Sequence, residues 1–286
     1  MKKISVIIPT YNRSFLLSVT LNSLCDQTLP SEEFEVIVAD DGSSDNTREI
    51  LEEYYRWLDI KYQYQEDKGF RVAKARNMGI ATAEAPLCLF VDSGVYLDRK
   101  CLEEHIRLYE QEDWDVVIGN VYGFSSKQDY RFSLRERLSE IGIGATLREC
   151  VDTGSYKDTR IPHYEKYGGD ISRLPAPWVF FWTCHVAVST EMLKKAGCFD
   201  EAFTSWGAED LELGYRLFCQ GAKFHFGQET ISLHYPHDHD PKEQKKSDRN
   251  NLEYFHHKHN NDVTKLLTEI HIMEINDRLL TTAGKV

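Results

Sequence analysis

The chain has 286 residues, 41% of them hydrophobic, which suffices for one large domain or a core with an accessory lobe and is too apolar for disorder over most of its length. A formal net charge of −12 excludes broad nucleic-acid binding, because phosphate backbones are held by dense Lys and Arg contacts. No run approaches the roughly 18 apolar residues that cross a bilayer, and Met1-Lys2-Lys3 leads into a run too soon broken by Pro9 for a secretion signal. The expected location is therefore the cytoplasm, with association at the inner face of a membrane left open.

In chain order, Ile4 to Ile8 is a β-branched run ending at Pro9, and residues 34–39 are a second ending at Asp40. Near-continuous apolar runs of this kind suit strands buried on both faces of a parallel sheet. Between them, residues 14–25 carry Leu16, Leu17, Val19, Leu21 and Leu24 at mostly helical spacing, completing a βαβ unit. A helix over 46–57, a strand over 60–64, a helix over 72–83 and a strand over 86–91 extend the alternation. The first hundred residues thus predict a doubly wound α/β unit, whose ligands bind beyond the carboxyl ends of its strands. A helix over 100–111 and a strand over 115–121 follow. Residues 125–170 are polar, charged and without a clear core period and read as an insertion or a mobile segment on the acceptor side, with the alternative that a helical piece near 134–141 packs on the core. A strand over 179–188 leads to a helix over 190–196. Short strands at 223–226 and 230–233 bring His234 to an element end. Charge density rises over 241–261, and a last helix spans 263–280. Seven scattered cysteines without a Cys-x-x-Cys pair read as reduced thiols.

The segment Trp206-Gly207-Ala208-Glu209-Asp210 sets two adjacent carboxylates behind a turn, where a helix carrying Leu211, Leu213, Leu217 and Phe218 begins, with Gly221 as its C-terminal cap. Residues one apart diverge around a helix axis, so Glu209 and Asp210 can hold different jobs. Alternatively, both complement the positive end of the helix. Polar residues also follow three strands: Thr10-Tyr11-Asn12, Asp40 to Asp45, and Asp92-Ser93-Gly94. Any one of these is explained by turn or cap preferences. Together they point into one crevice.

In this combination the residues resemble a glycosyltransferase of family 2 with the GT-A nucleotide-sugar fold, a Rossmann-like mixed or parallel central sheet flanked by helices, over nearly the whole chain. The resemblance rests on residues 6–13, on Val38 to Asp45, and on Gly69 with Ala75-Arg76-Asn77-Met78-Gly79. In the C-terminal half, residues 197–201 and 206–210 are similar to the acceptor region of galactosyl- and N-acetylgalactosaminyltransferases. A lone Asp-Asp-Gly-Ser carries little weight; five motifs in family order carry far more.

The resemblance implies a nucleotide-sugar-binding half over 1–100, an acceptor-binding and catalytic half over 101–240, and a helical extension over 241–286. It implies an inverting hexosyl- or N-acetylhexosaminyltransferase that takes a nucleoside diphosphate sugar, with UDP expected, to a glycan, lipid-linked or small-molecule acceptor. Pro9, Tyr11, Asn12 and Asp41 would border the nucleoside, with Asp40 or Asp41 accepting from the base N–H. Arg76 and Lys68 would offset diphosphate charge. Asp210 is the expected base and Glu209 a partner for a sugar hydroxyl. Trp206, next to Gly207, offers a plate for a sugar ring or packs into the core. The chain departs from the family's Asp-x-Asp at Gly94, which leaves the need for Mn²⁺ or Mg²⁺ open; Asp92 would contact ribose or metal, and His234, with His239 behind it, stands where relatives supply a histidine ligand. Two other readings remain. A sugar nucleotidyltransferase should carry a Gly-rich basic loop where this chain has Pro9 to Arg13, and a binding protein without turnover would release no nucleoside diphosphate.

Overall fold

The computed structural model describes residues 1–125, 128–237 and 241–283. Its first third alternates β1 (Ile4–Thr10), α1 (Ser14–Cys25), β2 (Phe34–Asp40), α2 (Thr47–Leu51), β3 (Ile60–Tyr64), α3 (Val72–Thr82) and β4 (Leu87–Val91). β1, β2 and β4 are buried along their whole length, as strands covered on both faces require. Period-two alternation divides β1 between two cores: Val6 and Ile8 pack with Leu17 and Leu21, whereas Ile7 packs with Ala73 and Ile80 on the opposite face.

The chain continues through β5 (Val95–Leu97), α4 (Cys101–Glu112), β6 (Val116–Tyr122), α5 (Gln128–Ile141), α6 (Ile143–Thr153), α7 (Ile161–Lys166), β7 (His185–Ser189), α8 (Thr190–Ala196), α9 (Glu209–Cys219) and β8 (Phe224–His234). It ends in α10 (Pro241–His259), α11 (Asp262–Glu269) and α12 (Ile275–Ala283). Among the described residues one mixed sheet orders its strands β3-β2-β1-β4-β7-β6-β8-β5. β3, β2, β1 and β4 are parallel, and β7 joins β4 antiparallel. From β1 the chain moves to β2 and β3 on one side, then crosses to β4 on the other, so the strand order reverses between β1 and β4. A crevice at such a switch point is where open α/β sheets bind ligands. The register brings Thr10 level with Asp40, so the polar residues that follow β1 and β2 emerge together.

Several sequence expectations need correction. Residues 125–170 hold more structure than expected: α5, α6 and α7 occupy much of the segment, Leu134 and Leu138 of the helical piece pack on Tyr122 and Leu233 as the alternative had it, and Leu147 and Cys150 of α6 join them. The apolar residues are divided among separate helices, too few in each to show a period. The strand expected over 179–188 begins only at His185, because Pro177–Phe180 form a tight helical turn whose buried Trp178, Val179 and Phe180 mimic a buried strand in composition. The two short strands before His234 are one, β8, with the interruption absorbed where its partner on β6 steps from Gly227 opposite Gly119 to Ile231 opposite Asn120. The helix expected over 46–57 stops at Leu51, and the last helix is broken by a turn at Ile272–Glu274. Gly221, with φ of 85°, follows the C-cap residue Gln220 of α9, where glycine commonly ends a helix.

Candidate active site

At the end of β1, Tyr11 is 44% exposed and its hydroxyl donates to Asp67 Oδ2 at 2.8 Å. Pro9 is buried in the strand, and its carbonyl accepts from Ser93 Oγ at 2.9 Å. Asn12 works within the loops: its Oδ1 accepts from Ser44 N at 2.7 Å and Asp45 N at 3.2 Å, and its own N–H donates to Ser43 Oγ. Asp40 is likewise occupied, accepting at Oδ1 from the N–H groups of Gly42 and Ser43 and at Oδ2 from Tyr62. Of the acidic pair, Asp41 therefore keeps more capacity for a ligand. It accepts one bond at each oxygen, from Gln65 Nε2 at 2.6 Å and Arg71 N at 2.7 Å, and burial raises its pKa against those bonds. Lys68 lies exposed nearby, 3.4 Å from Glu66. Asp67, Gln65 and Tyr62 were missed in the sequence, where they read as part of a polar strand and loop.

Arg76, expected to offset diphosphate charge, stands between two other expected site residues. It is only 4% exposed on α3 and bridges two carboxylates, donating from Nη1 to Glu209 at 2.8 Å and from Nη2 to Asp92 at 3.2 Å. Its guanidinium also lies 5.4 Å from the Phe199 ring centroid. Burial opposes the charge, but Glu209 and Asp92 outweigh it and the pKa rises. Its guanidinium thus ties the end of β4 to the start of α9.

Glu209 and Asp210 open α9 after two consecutive left-handed residues, Gly207 at φ 101° and Ala208 at φ 65°. That backbone turns the two side chains into different surroundings. Glu209 is ion-paired to Arg76, and its second oxygen is buried without a partner. Asp210 faces only backbone donors, Leu211 N at 2.8 Å and Thr183 N at 3.4 Å. Burial first, and then the Glu209 charge, push its pKa up to about 7. A carboxylate so tuned can take a proton at neutral pH. Trp206 is 45% exposed, which removes the core-packing alternative. Thr183 follows the half-buried Trp182, whose ring stacks near Phe124 at 5.4 Å and under the Arg160 guanidinium. The strand-like composition around it hid this contribution.

Across the cleft, His234 ends β8 opposite Val95, two residues past Ser93. Burial, then His237, lower its pKa to about 4, so the ring is neutral and able to coordinate at neutral pH. Its ring packs on Phe124 and His237, and the Asp92 charge acts on it. Asp92 retains about a third of its side-chain exposure, with one oxygen bound to Arg76. One imidazole and one carboxylate fit a cation that a diphosphate would complete. Gly94 has φ of 102°, and a Cβ there would lie 3.2 Å from Leu16 Cδ2, so the second carboxylate of Asp-x-Asp would be strained in the backbone this turn adopts. His239 falls outside the described residues. The other His and Cys cluster of suitable spacing, Cys101, His105 and His185, is fully buried under α4. Its imidazoles hydrogen-bond to one another at 2.9 Å, Ser232 takes the other nitrogen of His185, and burial keeps both rings neutral, while His105 Nδ1 is buried without a partner among the described residues. Among the described residues no helix is long and apolar enough to cross a membrane.

Comparison with known proteins places this geometry in context. The description "Glycosyl transferase family 2" matches residues 5–166, and "N-terminal domain of galactosyltransferase" matches residues 166–240. Validoxylamine A glucosyltransferase of Streptomyces hygroscopicus subsp. jinggangensis (strain 5008) is 39% identical over 82% of this chain and 56% of its own length. The chain thus spans about half the length of that curated relative. The S. aureus TarS 1-349 structure in complex with UDP-GlcNAc superposes with a TM-score of 0.57 at 22% identity, covering 88% of this chain and 64% of that one. Mannosyltransferase PcManGT from Pyrobaculum calidifontis, in complex with GDP-Man and Mn2+, gives 0.59 at 16% identity, covering 99% and 75%. At these identities the two structures speak for the fold, a mixed sheet of GT-A type flanked by helices.

Proposed function

This chain belongs to glycosyl transferase family 2, and from that premise we propose that it transfers a sugar, with inversion, from a UDP-sugar to a hydroxyl acceptor. The observation that carries the reading is the division between the two carboxylates of α9, one neutralised by Arg76 and one held with a raised pKa against backbone donors alone. Asp210 takes the proton of the acceptor hydroxyl as its oxygen attacks C1 of the donor. The C1–oxygen bond to the diphosphate breaks on the opposite face, and its electron pair leaves with UDP. Glu209, held by Arg76, receives a hydroxyl of one of the two sugars at its unpartnered oxygen, and Trp206 stacks on a ring face. Asp41 accepts from the base N–H while Tyr11, steadied by Asp67, covers the nucleoside. Lys68, exposed and next to Asp67 in sequence, offsets diphosphate charge.

Asp92 and His234 would hold a divalent cation, with the imidazole favouring Mn²⁺ over Mg²⁺. When bound, such an ion neutralises charge on the leaving diphosphate. Residues 1–100 form the nucleotide half, 101–240 the acceptor and catalytic half, and 241–286 a helical extension. The acceptor is a glycan, a lipid-linked glycan or a small molecule. Support for UDP comes from the acidic Asp41 beside Tyr11 and from the TarS complex, although the GDP-Man complex of PcManGT shows that this fold also accommodates a guanine nucleotide.

The test is UDP release from a panel of UDP-sugars and from GDP-mannose, with Mn²⁺ and a mixture of saccharide acceptors. Acceptor-dependent release of UDP is expected. Tight UDP binding with no release from any donor would make the chain a binding protein, and release of GDP alone would overturn the donor assignment.

A further inference from the structure

Both matching family descriptions end by residue 240, yet the helix that follows reaches back to the turn in front of α9. Asn251, on α10 and 8% exposed, donates from Nδ2 to three consecutive carbonyls, those of Ser205 at 3.1 Å, Trp206 at 3.2 Å and Gly207 at 2.7 Å. Its Oδ1 accepts from Ser205 Oγ at 3.2 Å, and Ser247 Oγ, one turn earlier, donates to the Trp206 carbonyl at 2.6 Å. The turn needs such partners. Gly207 and Ala208 are both left-handed, a conformation that is strained for a residue with a Cβ such as Ala208, and while the Ala208 carbonyl accepts from Glu212 N in α9, those of Ser205, Trp206 and Gly207 accept from α10. The contact is close: a Cβ at Gly207 would sit 2.8 Å from Asp248 Oδ1 of α10. Farther along the helix, Lys258 Nζ and His259 Nε2 each lie 2.8 Å from Glu212 Oε1, in the first turn of α9. One helix therefore grips both the turn that precedes Glu209 and Asp210 and the helical turn that carries them.

We propose that Asn251 is a positioning residue of the transfer reaction, fixing the Ser205–Gly207 carbonyls and thereby the direction in which α9 presents Asp210. The proposal rests on Asp210 being the base. Asn251 itself touches neither sugar, so its loss should leave donor binding by the β1 and β2 ends intact and fall on turnover.

The experiment is a double-mutant cycle. Asn251→Ala, Ser247→Ala and Asp210→Asn are made singly, and each of the first two is combined with Asp210→Asn; melting temperature, UDP affinity, kcat and KM are measured for all. Asn251→Ala is expected to lower kcat by about tenfold to 10²-fold, the scale of a small misplacement of a reacting group, with UDP affinity within about twofold of wild type. In the Asp210→Asn background the same change should lower kcat no further, because a group that acts through Asp210 has nothing left to orient. Unchanged kcat, a rise in KM alone, or equal losses in both backgrounds would overturn the proposal. Should Asn251→Ala fail to fold, Ser247→Ala removes one of the same bonds and decides by the same comparison, with a severalfold loss of kcat expected. If Asp210→Asn alone transfers normally, the base assignment has failed instead, and the cycle repeated on Glu209→Gln decides the role of Asn251.

Discussion

Arg76 pairs directly with Glu209 at 2.8 Å, whereas the hydrogen bonds to Asp210 come from backbone N–H groups and Arg76 only partly offsets its burial, and that difference has consequences for pH. A base must be deprotonated to act, so activity should fall as pH drops through the raised pKa of Asp210, near 7, rather than near the ordinary carboxylate value. A pH–rate profile flat down to pH 5 would refute this. Stability should move oppositely. At a pH below the unfolded carboxylate value both states hold the proton; as pH rises toward 7 the unfolded chain ionises first, so folding loses stability across that window and regains none above it. Asp210→Asn removes the penalty and should raise the melting temperature at pH 8 but not at pH 4, when each is compared with wild type. Gly94→Asp tests the departure from Asp-x-Asp. With φ of 102° and Leu16 against the Cβ position, the substitution should cost roughly 1–3 kcal/mol in denaturant unfolding without strengthening Mn²⁺ binding. Tighter Mn²⁺ binding with unchanged stability would show that the turn readily adapts. The pairing of Glu209 with Asp210 was legible because the residues are adjacent. The arginine that separates their roles lies 133 positions away, and only the fold brings it to Glu209.

Among the elements, β1, β2, β4 and α3 were readable because each is a continuous run whose period survives from end to end. The chain before β7 was not, since Trp178 to Phe181 are buried in a helical turn, and burial alone does not distinguish a strand from a turn. That region is held by an ion pair the sequence does not advertise. Arg160 and Asp158 are fully buried and joined at 2.6 Å, and the guanidinium also donates to the carbonyls of Phe180 and Gly119, linking the turn to β6. Trp182, beneath the same guanidinium, leads directly to the Thr183 N–H that faces Asp210. Removing one partner leaves the other charged and buried, so Asp158→Ala should cost about 3–5 kcal/mol in a denaturant titration. A loss below about 1 kcal/mol would place the pair among weak surface bridges.

For the molecule as a whole, the order of the polar strand ends pointed to the crevice before any contact was known, because parallel strands of one doubly wound unit must release their ligands at one edge. What could not be read is how the second half closes that edge. β7 inserts antiparallel beside β4, β8 brings His234 back to β5, and α10 returns to the turn before α9, all through pairings between distant segments. The first half is thus built from local βαβ order and the second from long-range return. The most direct test of the account compares Asp210→Asn with Glu209→Gln in one assay that reads both UDP affinity and UDP release from the preferred donor. The account predicts that Asp210→Asn keeps UDP affinity close to wild type while turnover falls by roughly 10²-fold or more, the scale of a lost general base. Near-normal turnover in Asp210→Asn, with Glu209→Gln inactive, would contradict it and exchange the two roles.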